Sequence, residues 1–318
     1  MKITLVRIFY FISFLAIGFL LLNLATPKVT TSQNLNNTNV VIIDTSIVKN
    51  VSHLYEVKAV KIPETIEFSG EKVPLDMADI RERLDRELLV NTYWQSNALL
   101  LIKRANKFFP LIEPLLKKYG LPDDFKYLCV AESALIQVPS YKGAAGYWHF
   151  MPRTGKEYGL EINKNVDERY NLELSTKVAA EYLKNAKNSF GSWTLAAAAY
   201  NAGNGRISQR LKEQKVTSYY DLLLNPETGR YVFRILALKE IMSNPEKYGF
   251  ILEQDDLYSF PEVKEILVDY PIPDLPDFAK KYNITYKELK LVNPWLRETK
   301  LDNHSKKEYI IKIPLKSS

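Results

Sequence analysis

Glu132 stands at the end of an apolar stripe. Phe125, Leu128, Cys129 and Glu132 fall at i, i+3, i+4 and i+7, so one helix face carries all four. A carboxyl in that position is partly desolvated, which disfavours its charged form and raises its pKa. That is the condition a general acid needs near neutral pH. A surface glutamate or a core ion pair fits the same spacing, so position alone leaves those readings open. Two further stretches have the chemistry of a sugar site. Gly143-Ala-Ala-Gly146-Tyr147-Trp148-His149-Phe150 combines small residues, which let backbone approach a ligand, with aromatics suited to stacking on sugar faces. Ala196 to Ala199 lead into Tyr200-Asn201-Ala202-Gly203, where a hydroxyl and an amide sit near a helix end set by Gly203.

Other chemistries find little support. Cys129 is the single cysteine, so no intramolecular disulfide and no cysteine zinc cluster can form. His53, His149 and His304 are dispersed and none belongs to an H-E-x-x-H pattern, so no metal site and no cofactor is expected. With 43 Lys plus Arg against 37 Asp plus Glu the net charge is +6, scattered without a basic run, so no nucleic-acid partner is expected.

The elements that must position these residues read as mainly α. Lys2 and Arg7 precede an apolar run, Ile8 to Leu22, so residues 1–25 read as a signal peptide or membrane anchor. Residues 26–75, first rich in Thr, Asn and Ser and then weakly alternating up to Gly70 and Pro74, read as a linker or irregular segment. From 76 to 250 helical signals dominate. Ile80, Leu84 and Leu88 recur at helical spacing, and Phe108 to Leu116 continue the pattern. Gly120-Leu121-Pro122 closes one helical block and opens the next, with Pro122 at a first helical position and Asp123 and Asp124 in the first turn. Further helices are expected near 176–187, 192–202 and 231–242. Residues 261–318 change character: strand-like Ile266-Leu267-Val268, two short helices, then Tyr309 to Ile313 as a closing strand. The first short helix begins at Asp274, the second at a Thr285-x-x-Glu288 capping-box spacing. This predicts a small β-α-α-β module.

In order along the chain stand Glu132-Ser133, Gly146-Tyr-Trp-His-Phe-Met151, Asp167-Glu-Arg169, Ala199-Tyr-Asn-Ala-Gly203, and Glu227-Thr228 with Tyr231-Val232. Together they resemble the lytic transglycosylases of the goose-lysozyme-like superfamily, most closely the membrane-bound type D group. The resemblance implies a lysozyme-like helical catalytic domain over 76–250, with Glu132 as the catalytic acid. It places Ser133, Gly146, Tyr147, Trp148, His149, Tyr200, Asn201 and Tyr231 at the substrate. The C-terminal unit resembles a LysM module, which implies binding of N-acetylglucosamine units, although Asp269-Tyr-Pro-Ile-Pro-Asp274 replaces the usual Gly-Asp-Thr-Leu opening.

The implied reaction cleaves the β-1,4 bond between N-acetylmuramic acid and N-acetylglucosamine in peptidoglycan glycan strands and leaves 1,6-anhydro ends. One carboxyl acts first as acid and then as base. The alternatives are a hydrolytic muramidase on the same scaffold, needing a second acid from Asp123, Asp124 or Glu157, and a non-catalytic wall-binding protein. The expected location is the cell envelope, periplasmic or anchored through the N-terminal segment. His149 stands where the family has Gln. Neutral, it keeps one donor and one acceptor; protonated, it has two donors, which predicts an acid-side pH dependence. Asp167 and Arg169 read as a structural pair holding a loop, and Cys129 as a small core residue.

Overall fold

The computed structural model describes residues 57–315, so the N-terminal apolar run and the Thr/Asn/Ser-rich segment lie outside the described residues. The first described element is a hairpin, β1 (Glu67–Phe68) and β2 (Glu71–Lys72), paired antiparallel. Ser69 and Gly70 turn it with φ of 53° and 80°, the two positive values a type I′ turn demands. The hairpin is anchored: Ile66, Phe68 and Val73 are buried, and Phe68 meets Phe125 edge-on at 5.2 Å. The segment expected to be irregular up to residue 75 therefore contributes to the core before 76.

Eight helices follow in the region with helical periodicity. They are α1 (Ala78–Tyr93), α2 (Gln95–Lys118), α3 (Phe125–Ser133), α4 (Pro152–Glu157), α5 (Leu172–Phe190), α6 (Trp193–Ala202), α7 (Asn204–Gln214) and α8 (Pro226–Ser243). Ile80, Leu84 and Leu88 are fully buried, as their spacing requires. Helix α8 packs against α1, α3 and α6 and so ties the helix that carries Glu132 to the rest. Asparagine and serine side chains cap three of the N-termini: Asn171 on α5, Ser192 on α6 and Asn225 on α8.

Helix α3 starts later than expected. Pro122 to Asp124 form a tighter turn, with Phe125, Lys126 and Tyr127 amides bonding back three residues, and the regular helix begins at Phe125. Asp124 is drawn away from a capping role. Its carboxylate accepts from the Ser69 amide at 2.6 Å and from Lys239 Nζ at 2.7 Å, joining the hairpin to α8.

After residue 260 the chain forms β3 (Val263–Val268), α9 (Leu275–Lys281), α10 (Tyr286–Val292) and β4 (Tyr309–Pro314), with β3 and β4 antiparallel from Val263↔Pro314 to Val268↔Tyr309. Asp274 caps α9, and the Thr285/Glu288 capping box is made in both directions. The module's buried cluster includes Leu275, Phe278, Leu289, Leu296 and Ile311, and three residues from the helical part: Ala145, Val166 and Tyr170. Among the described residues no helix is long and apolar enough to cross a membrane.

Candidate active site

Helix α3 presents Glu132 one residue before its end. The chain then makes an abrupt exit: Ala134 and Leu135 both have left-handed φ, 51° and 55°, a costly conformation for residues with side chains. Two side chains hold it. Arg104 donates to the Ala134 carbonyl at 3.2 Å, and the Ser133 hydroxyl donates to Cys129 O while accepting from the Leu135 amide, each at 3.1 Å. Ser133, expected at the substrate, is buried with its hydroxyl committed to this turn.

The Glu132 carboxyl faces α8. Its Oε1 accepts a hydrogen bond from the Tyr231 hydroxyl. Glu132 is half-buried as a residue, protein surrounds its carboxyl closely, and burial pushes its pKa from 4.5 up to about 7. The Tyr231 bond and the Arg234 charge pull the other way, while the Glu227 charge adds to the rise. Burial wins. Tyr231 and Tyr200 phenols are themselves held well above the ordinary value, chiefly by burial and then by the Glu132 charge, so both stay protonated donors.

The Gly146 motif borders this helix, and its aromatic side chains serve packing. Tyr147 is buried, meets Phe108 edge-on at 5.3 Å, and its hydroxyl accepts from Gln137 Nε2 at 2.6 Å. Trp148 is fully buried and donates from Nε1 to Thr176 Oγ1 at 2.9 Å. Their ring types suit sugar stacking and core packing equally, and here they fill the core. Backbone carries the connections to the site: Cys129 Sγ donates to Tyr147 O at 3.2 Å, and the Tyr200 hydroxyl donates to Trp148 O at 2.7 Å.

Gly146 is required by a close approach, though not to a ligand. Its φ is +81°, and a Cβ there would lie 1.8 Å from the Arg169 carbonyl oxygen. Arg169 forms a two-point pair with Asp167, at 2.9 and 2.7 Å, and donates to Gly143 O and Phe150 O at 2.8 and 3.0 Å. The Asp167/Arg169 pair is thus a clamp on the whole motif.

His149 is partly exposed with a left-handed φ of 52°, and its Nε2 lies 3.2 Å from Val138 O, across the loop that follows α3. The charges acting on Glu132 come instead from Arg234 and Glu227. Asn201 is partly exposed near the end of α6, and its Oδ1 accepts from Thr228 Oγ1 at 3.0 Å. Sequence reasoning missed Arg234, which lies three residues after Tyr231 on α8. It also missed Glu71, whose carboxylate gathers Ser192 Oγ, the Trp193 and Thr194 amides and Thr194 Oγ1, between 2.6 and 2.9 Å. That carboxylate holds the N-terminus of α6, the helix that carries Tyr200 and Asn201.

The chain matches two families. Residues 110–223 match the transglycosylase SLT domain, and residues 264–317 the soluble lytic transglycosylase C-terminal LysM-like domain. Membrane-bound lytic murein transglycosylase D of Escherichia coli K12 is 32% identical over 198 residues, covering 59% of this chain and 43% of that protein. The chain therefore spans less than half the length of this relative. A putative tributyltin chloride resistance protein of Alteromonas sp. M-1 is 27% identical over 129 residues, covering 40% of this chain and 60% of that one. Among solved structures, the 70 kDa soluble lytic transglycosylase of Escherichia coli aligns at a TM-score of 0.39 with 18% identity, covering 63% of this chain and 40% of that one.

Proposed function

On the premise that the chain carries a transglycosylase SLT domain followed by a LysM-like domain, we propose that it is a peptidoglycan lytic transglycosylase with Glu132 as its single acid and base. The observation that carries the reading is the Glu132 carboxyl, raised to about 7 by burial and held by one phenol donor. At neutral pH a substantial fraction is protonated and able to donate to the leaving glycosidic oxygen.

The proposed steps use one carboxyl. Glu132 protonates the bridging oxygen as the C1–O bond of N-acetylmuramic acid breaks. The substrate's own acetamido group relieves the oxocarbenium-like charge at C1. Glu132, now a carboxylate stabilised by Tyr231 and Arg234, takes the proton from the C6 hydroxyl, and O6 closes on C1 to give the 1,6-anhydro end. No water is consumed. Of the residues expected at the substrate, His149 and Asn201 carry polar groups on partly exposed side chains, and they are assigned to orienting glycan.

The muramidase alternative needs a second acid beside Glu132, and each of the three acids weighed from the sequence makes an ion pair elsewhere. Asp123 pairs with Lys126, Asp124 with Lys239 and Ser69, and Glu157 with Arg153. The location that fits the reading is the cell envelope, with the apolar N-terminal run as export signal or anchor. The test is mass spectrometry of muropeptides released from purified sacculi. Anhydro ends are expected from the wild type. Glu132→Gln should lower the yield by at least about 10²–10⁴-fold. Reducing ends from the wild type would establish the hydrolase, and undiminished release by a folded Glu132→Gln protein would remove Glu132 from the chemistry.

A further inference from the structure

We propose that the C-terminal LysM-like module is a brace for the segment beside Glu132: it pins the loop of residues 161–170, and through Arg169 it fixes the Gly146–Phe150 turn against the Glu132 helix. Lys307 and Tyr309 are the positioning residues on its side. Four kinds of contact make the joint. Backbone crosses it, with Asp167 N donating to Trp295 O at 2.9 Å, Arg297 N to Asn165 O at 2.7 Å, and Val166 bridging Leu296 in antiparallel fashion. A side chain is read by backbone, as the Asp302 amide donates to Asn165 Oδ1 at 2.6 Å. Charge crosses it, with Lys307 Nζ bonding both Glu161 Oε2 and Glu168 Oε1 at 2.7 Å, and Tyr309 donating to Glu161 Oε2 at 2.8 Å. Apolar packing completes it. Ala145, Val166 and Tyr170 are at least 96% buried within the module's own cluster, and the Arg297 guanidinium lies 4.1 Å over the Tyr170 ring.

A tethered glycan-binding domain would need none of this. The joint continues inward without a break. Asp167, whose amide is held by the module, pairs with Arg169; Arg169 holds Gly143 O and Phe150 O, and its carbonyl sits against Gly146. The turn so held supplies Tyr147 O to Cys129 and Trp148 O to Tyr200, on either side of Glu132. Small displacements of such a frame are costly for a reaction that depends on near-contact geometry.

The activity arm of the test rests on the transglycosylase reading; the exchange arm does not. In the full-length protein, Lys307→Met with Tyr309→Phe removes the three side-chain bonds to Glu161 and Glu168 while leaving the module's core. Amide hydrogen exchange over residues 143–150 and 161–170 should accelerate roughly tenfold, with the α1 and α8 amides unchanged. On a soluble glycan kcat should fall roughly tenfold with KM changed less than about twofold, and Lys307→Arg with native Tyr309 should retain wild-type values. Tyr309→Phe alone, which removes one bond, should give a smaller change in the same direction and serves if the double variant does not fold. Unaltered exchange in these segments would overturn the brace whether or not the protein cleaves glycan. An effect confined to KM, or to retention on sacculi, would equally overturn it in favour of a glycan-gripping module.

Discussion

Replacing Glu132 by Gln should make the protein more stable, and only at the pH values where the wild-type carboxyl is ionised. The carboxyl is raised from 4.5 to about 7, so between those values the folded chain holds a proton that the unfolded chain has released. Stability contributed by the neutral form is therefore complete below pH 4.5 and lost as pH rises through about 7. At about 1.36 kcal/mol per pH unit, the ionised carboxylate costs the fold about 3 kcal/mol, and partial solvent access trims this to about 2–3 kcal/mol. Gln stays neutral and keeps an oxygen to accept from Tyr231, so little else changes. Urea unfolding of both proteins at pH 4.5 and pH 8.5 is the assay, and all other titrating groups cancel in the difference. The two should have similar stability at pH 4.5. At pH 8.5 Glu132→Gln should unfold at a higher midpoint, by about 1 M for a slope near 2–3 kcal/mol/M. A difference that is the same at both pH values, or one in which the wild type gains at pH 8.5, would refute the desolvated acid.

Tyr231→Phe removes the donor that opposes burial, so the Glu132 pKa should rise and the alkaline limb of kcat/KM should move up by about one pH unit; a limb that moves down would reverse the assigned sign. Glu71, lowered from 4.5 to about 2 by its four donors to the α6 terminus against the opposing effect of burial, contributes stability present above pH 4.5 and lost as pH falls through about 2. Glu71→Ala should cost about 1–2 kcal/mol at pH 7 and much less at pH 2, measured by chemical unfolding, a modest cost because solvent reaches the side chain, which is 26% exposed. His149→Gln should give a pH–rate profile that superimposes on the wild type, since the ring rests on Val138 O and the charges acting on Glu132 lie on α8; an acid limb displaced by more than about half a pH unit would restore the coupling expected from the sequence.

Local patterns were legible because local physics makes them. The Ile80, Leu84 and Leu88 spacing, the Asp274 and Thr285 caps and the β-α-α-β order all depend on neighbours within one or two turns, and all are present. The hairpin at Glu67–Lys72 was not, because two-residue strands carry no alternation to read. Nor was the use of Gly146: its need for a missing Cβ comes from a carbonyl at Arg169, outside any sequence window. Residue type also fails to separate a ring that stacks on sugar from one that fills a core, which is why Tyr147 and Trp148 were expected at the substrate and lie inside. The family motifs located Glu132 and Tyr231, but their hydrogen bond spans 99 positions, and only the packing of α8 on α3 creates it.

That packing also supports the proposal that one carboxyl serves as acid and then as base. Glu227, Tyr231 and Arg234 fall at i, i+4 and i+7 of α8, one face of one helix, and each acts on Glu132. A fully desolvated acid with no donor nearby would keep its proton too well to serve as the base. An acid bound as tightly as Glu71, with four donors, would never hold a proton to give. Glu132 has burial on one side, one buried phenol on the other, and two exposed charges of opposite sign that solvent screens. The balance leaves it near 7, where donating and accepting a proton cost comparable free energy. Because the buried contributions dominate the screened ones, the balance should hold across ionic strength, and it depends on keeping α3, α8 and the hairpin beside them in register.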